Sequence, residues 1–362
     1  MKYKVPLRNP RPNIDNFIKI ISGQSISTKG VVMEYLIDKE IRHKISTELL
    51  GLEWVEPLED KNVQEKYLKN YIEFWYRMGY DYVRFELNVG FVPKVRNVAD
   101  TAFLSRGIRE WAEEGKGIIT SWGDFENYKW PLVKDFDFSP YEFIGKNLPD
   151  GMGFFVSHGA GVLENVLQLM GYEGLSYALY DNLDLVETMF DKVGKTIYEF
   201  YKNIVGIHNI YAFFQGDDMG FKTATLLSPE ILRKYVLPWH KRYAELAHQH
   251  NMLYLLHSCG NIEEVMDDLI ENVRIDGKHS FQDEIRPVSA FYKKYSGKIA
   301  VLGGVDINVL ATYPEDKLRR YIRNILTICM NKGRFALGSG NSIANYIPIK
   351  NYLIMLEEGL NF

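Results

Sequence analysis

The sequence predicts a (β/α)8, or TIM, barrel, and two features of the chain support that fold. Eight short β-rich runs occur along the 362 residues, and from the third run onward nearly every interval reads as an amphipathic helix. Strands that alternate with helices pair in parallel through crossovers, and eight such units close a barrel. An open doubly wound sheet is the alternative, but it usually has a Gly-rich turn after its first strand, and VVMEYLIDKEI (31–41) has none.

The individual elements follow from this alternation of β-rich and helical stretches. Strands are predicted at residues 31–37, 82–87, 153–158, 210–215, 253–257, 273–278, 299–304 and 335–339. Helices are predicted at residues 178–205, 228–250, 262–271, 286–295, 314–331 and 348–359. Residues 88–152 contain many Trp, Gly and Pro residues, so we expect an irregular excursion there, within one domain that covers residues 1–362.

Composition excludes several classes of function. The chain is 46% hydrophobic and 25% charged with a net charge of −4, and it has no basic tract suited to nucleic acid. We expect neither a membrane span nor a secretory signal, because no apolar run reaches 18 residues and none follows the basic N-terminus. Two cysteines far apart, Cys259 and Cys329, indicate a reducing cytoplasm rather than a disulfide framework.

Polar side chains concentrate where the predicted strands end, which is where the active sites of barrel enzymes gather. These residues are Glu34, Glu86, Asn88, His158, Asp217, Asp218, His257, Cys259, Asp276, Lys278, His279, Asp306, Ser339, Asn341 and Ser342. Three of the eight histidines in the chain are among them. This density predicts an enzyme with its site at the barrel mouth.

The sequence HSC, at the end of the fifth predicted strand, is the most specific of these signals. Histidine and cysteine are ligands that zinc prefers, and His257 and Cys259 are one residue apart. The alternative reading is a hydrogen-bonded structural histidine beside an inert, buried thiol. The motif alone leaves both readings open.

The neighbouring aspartates Asp217 and Asp218 point to opposite sides if the chain is extended. One of them is therefore expected to face the site, while the other caps a helix or forms an ion pair. If no metal binds, His257 and His158 become candidates for general acid–base catalysis, with a carboxylate such as Asp218 orienting one ring.

Six motifs in the second half of the chain occur in a characteristic order. They are GDDMG, LLSPEILRKYVLPWHKRYAELAHQH, LLHSCGN, VLGGVDINVL, FALGSGN and NYIPIKNY. With these motifs, residues 205–360 resemble the uroporphyrinogen decarboxylase superfamily. The resemblance implies a (β/α)8 barrel, often homodimeric. It implies either cofactor-free decarboxylation of uroporphyrinogen or zinc-assisted methyl transfer between a corrinoid protein and a thiol or methyl donor.

Departures from the family pattern favour methyl transfer. The Arg-rich signature RQAGRYxPE of the decarboxylases is absent, and Ser339 stands where they have a histidine. His257-Ser258-Cys259 matches the H-x-C motif of the methyltransferases, but Ser339 also stands at or near the position of their later cysteine. Cys329 lies in a predicted helix and is a poor substitute.

The site predictions combine these arguments. Further zinc ligands would come from Glu34, Glu86, Asp217, Asp218 or His279. The residues predicted to be catalytic are His158, Asp217, Asp218, His257, Ser339 and Asn341. Glu34, Glu86, His279 and Asp306 are predicted to contact a cofactor, and His257 and Cys259 to bind the metal. A decarboxylase-type lyase and a non-catalytic binding barrel remain alternatives to a methyltransferase that uses a small substrate and a corrinoid protein.

Overall fold

A parallel sheet of seven strands, curled around a common axis, forms the wall of the molecule. The computed structural model describes residues 3–26, 30–57, 60–113, 115 and 117–362. Its strands are β1 (Tyr82–Glu86), β2 (Val95–Ala99), β3 (Ile108–Ala112), β4 (Gly153–Ser157), β5 (Ile210–Gly216), β6 (Leu253–His257), β7 (Gly277–His279), β8 (Ala300–Leu302) and β9 (Phe335–Ala336). The sheet order β1-β4-β5-β6-β7-β8-β9 follows the chain, as in a (β/α)8 barrel, so the predicted fold class is confirmed.

Residues 31–37 occupy the eighth position, between β9 and β1. They form two isolated parallel bridges with the segment after β9 instead of a continuous ladder. On the other side, the Tyr82 hydroxyl accepts from the Glu34 N–H and donates to the Glu34 carbonyl, both at 2.9 Å. The Tyr82 side chain of β1 thus forms the hydrogen bonds with the Glu34 backbone that a neighbouring strand would otherwise form. This is why the predicted strand at 31–37 is irregular.

Helices cover the outer face of the sheet. The α-helices are Ile14–Ile21, Lys39–Glu48, Lys61–Arg77, Trp122–Asn127, Ser139–Asn147, Val162–Met170, Tyr172–Asp181, Leu183–Ile204, Pro229–Ile231, Leu237–Gln249, Val288–Tyr295, Ile307–Thr312, Glu315–Cys329 and Ile349–Asn361. Short 3-10 turns occur at Val133–Asp135 and Glu263–Val265, and π turns at Leu232–Val236 and Asp268–Val273. Within the described residues, no helix is long and apolar enough to cross a membrane.

Three predicted elements differ from the structure. The helix expected over 262–271 is a 3-10 turn followed by a π turn, and the other two differ for local reasons. The helix expected over 178–205 is broken at Asn182, whose side chain accepts from the Leu185 N–H and caps a new helix. The strand expected at 273–278 starts only at Gly277, because Arg274 takes a left-handed conformation with φ of 66° after the π turn. The observed strand is shifted toward the C-terminus, so His279 lies within β7 rather than beyond the strand.

The excursion at 88–152 is more regular than its composition indicated. It contains the antiparallel hairpin of β2 and β3 and three helical segments. Near the hairpin turn, Arg106 pairs with Asp38 at 3.0 Å, and the Asp100 carboxylate accepts from the Asn345 side chain at 2.7 Å. Asp38 and Asn345 both follow strand positions of the barrel, so the hairpin stands beside the barrel mouth.

Candidate metal centre

The ends of β5 and β6 bring two short segments together at the barrel mouth. The strand register pairs Gly216 with His257, so the residues that follow each strand emerge side by side. The Cys259 N–H donates to Asp218 Oδ1 at 2.7 Å, which fixes the two segments to each other. Three side chains of different chemistry therefore converge: a carboxylate, an imidazole and a thiol.

The donor atoms of Asp218, His257 and Cys259 all lie within 4.8 Å of one another. His257 Nε2 is 3.4 Å from Cys259 Sγ and 3.6 Å from Asp218 Oδ1. One nitrogen, one sulfur and one oxygen are donors that zinc accepts, and three protein ligands are the usual number at a catalytic zinc site. The three residues therefore fit a zinc ion by the chemistry of their donor set.

A chain of hydrogen bonds determines which nitrogen of His257 carries its proton. Burial lowers the pKa of His279 to about 3 and that of His257 well below its usual value, so both rings are neutral at pH 7. His279 Nε2 lies 3.0 Å from the Ser339 carbonyl, which can only accept, so the proton of His279 is on Nε2. Its Nδ1, 2.7 Å from His257 Nδ1, then accepts from that ring and leaves the lone pair of His257 on Nε2, within hydrogen-bond distance of Cys259 Sγ.

The lone pair of His257 Nε2 thus faces Cys259 and Asp218, which is the form that binds a metal. Burial, followed by the nearby Asp218, raises the pKa of the Cys259 thiol above its usual value. Burial also raises the pKa of Asp218. A bound cation reverses such shifts, because it favours the thiolate and the carboxylate as ligands.

Tyr35 and Arg84, which the sequence did not indicate, stack in turn on one face of the His257 ring. The Tyr35 ring stacks on His257 with centroids 4.0 Å apart and an interplanar angle of 12°. The buried Arg84 guanidinium lies over the other face of Tyr35, 3.9 Å from the ring centroid. Tyr35 directly follows the predicted site residue Glu34, but no spacing in the sequence links it to His257.

Asn341 and Ser339 have different positions relative to the cluster. Asn341 Nδ2 donates to Cys259 Sγ at 3.1 Å. The Ser339 hydroxyl instead donates to the buried Glu34 carboxylate at 2.7 Å, and burial raises the pKa of Glu34 to about 8. Asn341, rather than Ser339, therefore stands beside the sulfur, although the sequence comparison pointed to Ser339 for the missing cysteine.

Asp217 turns away from the mouth, as expected for one of the two aspartates. Its oxygens accept from the Leu163 and Glu164 N–H groups at 3.1 and 2.9 Å, at the start of the helix Val162–Met170. His240 Nε2 lies 2.8 Å from the same carboxylate. The side chain is fully buried and its role there is to cap a helix and hold His240.

His158 also lies away from the cluster. Its buried ring packs edge-on against Phe200 and Tyr201 of the helix Leu183–Ile204, with centroids 5.6 and 5.5 Å away. Burial lowers its pKa to about 4, and Nε2 has no hydrogen-bond partner. The structure thus brings His257 but not His158 to Cys259. Cys329 is buried in the helix Glu315–Cys329 and is not part of the donor cluster among the described residues.

The remaining predicted residues surround the cluster or support the fold. Glu86 pairs with Arg84. Asp306 caps the helix Ile307–Thr312 by accepting from the Asn308 and Val309 N–H groups. It also lines a recess of about 270 Å³ that opens beside Cys259. Glu164, missed by sequence reasoning, has a pKa raised by burial and by Asp218 and Asp217.

Comparisons with known proteins agree with this architecture. No curated protein matches the sequence. A methyltransferase from Methanosarcina mazei has 14% identity and a TM-score of 0.68, over 96% of this chain and 98% of that one. A B12-independent methionine synthase from Shewanella sp. W3-18-1, in complex with selenomethionine, has 12% identity and a TM-score of 0.52, over 92% and 96%. At these identities the likeness shows the fold alone.

The model of the uroporphyrinogen decarboxylase (URO-D) family matches residues 155–359, more than half of the chain, and the protein belongs to that family.

Proposed function

We propose that this barrel is a zinc-assisted methyltransferase that moves a methyl group between a small substrate and a corrinoid protein. The observation that carries the proposal is the convergence of the Asp218, His257 and Cys259 donor atoms within 4.8 Å of one another at the barrel mouth. The neutral His257, with its lone pair toward the other two donors, supports it. The URO-D family and the fold of the Methanosarcina mazei methyltransferase are consistent with it.

A zinc ion held by these residues would supply Lewis-acid chemistry, which activates a thiol or polarises a methyl donor. The chain's own residues would prepare the site. Tyr35 and His279 hold the His257 ring in place. The Asn341 amide donates toward Cys259 Sγ and favours its thiolate form, since a hydrogen bond to the charged form of a group stabilises that form.

The recess beside Cys259 gives a small substrate access to the cluster. A corrinoid is large and reactive, so we expect a separate protein to carry it to the open mouth. The exposed hairpin of β2 and β3, which stands at that mouth, is available for such a contact. Both the partner and a homodimeric assembly are part of the proposal.

The first experiment measures the zinc content of the protein purified without chelators. We expect about one zinc per chain in the wild type, and loss of zinc in His257→Ala and Cys259→Ala. His250→Ala is the matched control, because His250 is an exposed histidine on the loop before β6 and should leave the zinc content unchanged. Absence of zinc from folded wild-type protein would overturn the metal-assisted mechanism and favour a metal-free lyase or a binding barrel.

The second experiment tests methyl transfer itself. Zinc-loaded protein is incubated with methylcobalamin and a small thiol, and the thioether product is measured by mass spectrometry. We expect the wild type and His250→Ala to form thioether, and Cys259→Ala to form none above the rate without protein. Zinc binding with equal thioether formation in all samples would reject methyl transfer to thiols while retaining the metal site.

A further inference from the structure

Lys278 is a buried lysine that forms no ion pair with a carboxylate in the described part of the chain. It lies in β7, is 4% exposed, and donates a short hydrogen bond to the Ser280 carbonyl. Among the described residues, no carboxylate oxygen lies within 4 Å of its Nζ, and its other contacts are the faces of Phe281 and Phe291, 4.5 and 5.6 Å away. An ammonium has three donors, and buried charges are normally paired, so two donors of Lys278 await an acceptor.

The Lys278 side chain lines a small recess of about 50 Å³ next to the candidate metal centre. This recess shares Gly260, Gln282 and Ile285 with the larger one that contains Cys259, so the two are adjacent. Ser280 connects them directly: its carbonyl accepts from Lys278, and its hydroxyl is 3.7 Å from Cys259 Sγ. A molecule a few atoms long could therefore reach both the ammonium and the donor cluster.

The charges around the small recess favour an anion. Glu263 is the one carboxylate that lines it, and both of its oxygens are already occupied. Oε2 accepts from Arg286 at 2.7 Å, and Oε1 accepts from Lys294 and from the Tyr295 hydroxyl. The charged residues that line the recess are Lys278, Arg286 and Glu263, two cations and one anion, so its wall carries a net positive charge.

We propose that the Lys278 ammonium binds the carboxylate of the substrate, which is therefore a small anionic molecule whose reacting end lies toward Cys259. This inference rests on the proposed function for the reacting end, but the anion subsite itself does not require the metal. The Phe281 and Phe291 rings would pack on the apolar part of the ligand and exclude water from the ion pair. A substrate without a negative charge would leave the buried ammonium unpaired, and would bind more weakly.

The test compares the binding of 3-mercaptopropionate with that of its neutral amide, by calorimetry, at pH 7. For the wild type we expect the carboxylate to bind about 10-fold more tightly, as one charge-assisted hydrogen bond provides. Lys278→Met, which keeps the length of the side chain and removes the charge, should bind the two probes equally. Lys278→Arg restores a cation and should restore the preference. Lys241→Met, at an exposed lysine of the helix Leu237–Gln249, should behave as the wild type does.

Zinc content is measured on the same samples, so that the two proposals fail separately. A carboxylate preference in the wild type without bound zinc would support the subsite and overturn the metal site. Bound zinc with equal affinity for both probes, or with no binding of either probe, would overturn the subsite. A preference that persists in Lys278→Met would show that the anion binds elsewhere and would also overturn it.

Discussion

Asp217 and Asp218 are consecutive residues in two opposite environments. Asp217 is fully buried, and its oxygens accept from two backbone N–H groups and from His240, whose other nitrogen is 2.7 Å from the Tyr254 hydroxyl. The Asp218 side chain is 36% exposed, accepts one hydrogen bond from the Cys259 N–H, and faces His257 at 3.6 Å. Each aspartate has a histidine beside it, but the Asp217–His240 pair is fully buried, whereas the Asp218–His257 pair is partly exposed and lies beside Cys259, which lines a recess.

The difference separates a buried network that the protein satisfies by itself from a partly exposed donor cluster beside a recess. A buried polar network whose members are all satisfied contributes to stability and leaves no atom for a substrate. A partly exposed cluster of donor atoms next to a recess contributes less to stability, and it can exchange its internal hydrogen bonds for a ligand. Breaking the first should therefore unfold the protein, and breaking the second should remove function from a folded protein.

The largest expected effect is on stability, for Asp217→Ala. The change leaves the Leu163 and Glu164 N–H groups and His240 without their acceptor, in a fully buried place. We expect the free energy of unfolding to fall by about 3–5 kcal/mol, measured by urea denaturation. Asp60→Ala is the matched control: Asp60 also caps a helix, but on the surface, so its loss should cost about 1 kcal/mol. Equal effects of the two changes would contradict the network as described.

His158 provides the second prediction, which concerns acid sensitivity. Its folded pKa of about 4 is below the ordinary value of 6.5, so stability from its neutral form is present above pH 6.5 and is lost as pH falls toward 4. His158→Leu keeps the packing against Phe200 and Tyr201 and removes the proton-binding group. Relative to the wild type, the variant should lose about 3 kcal/mol less between pH 7 and pH 4.

Thermal or urea denaturation at a series of pH values measures this difference. His257 and His279 also have lowered pKa values and add to the acid sensitivity of both proteins, so the comparison isolates His158. An identical pH dependence in the two proteins would show that His158 is solvated, and would return it to the list of candidate acid–base groups.

Much of the fold could be predicted because it depends on local pattern. Strands β1, β4, β5 and β6 lie within one residue of their predicted bounds, and Pro314 and Pro348 stand at helix starts. Residues 31–37 and 273–278 differ because tertiary contacts or a strained backbone decided their conformation. Neither the Tyr82 hydroxyl beside Glu34 nor the π turn before Arg274 has a signature in the sequence.

The site could be predicted only in part, for a related reason. The proximity of His257, Cys259 and Asp218 could be predicted because the carboxyl ends of parallel strands lie at the same edge of the sheet. Tyr35, Arg84 and the unpaired state of Lys278 depend on side-chain directions around the barrel axis. A sequence shows which polar residues follow a strand, but it does not show which of them other groups already satisfy.

The third prediction concerns Asp218, the partly exposed aspartate of the pair, and is tested with Asp218→Ala. If Asp218 is a zinc ligand, the dissociation constant for zinc should rise by at least about 100-fold, because even outer partners of metal ligands are worth about 10- to 100-fold. The free energy of unfolding of the metal-free protein should change by no more than about 1 kcal/mol, since one partly exposed hydrogen bond is lost. Competition with a chelator of known affinity measures the first quantity, and urea denaturation the second. Unchanged zinc affinity would remove Asp218 from the ligand set.

The smallest expected effect concerns His279, which touches the cluster only through His257. His279→Phe keeps a ring against Tyr35 and Phe214 but removes the acceptor for the His257 Nδ1–H, so His257 loses the hydrogen bond that keeps its lone pair on Nε2. We expect zinc affinity to fall by about 10-fold, at the lower end of the range for such partners, with the zinc stoichiometry retained. His279→Gln supplies a carbonyl oxygen that can accept the same hydrogen bond, and should recover most of the affinity. If His279→Phe binds zinc as tightly as the wild type, the stacking of Tyr35 alone positions His257, and the hydrogen-bond chain to Ser339 has no part in metal binding.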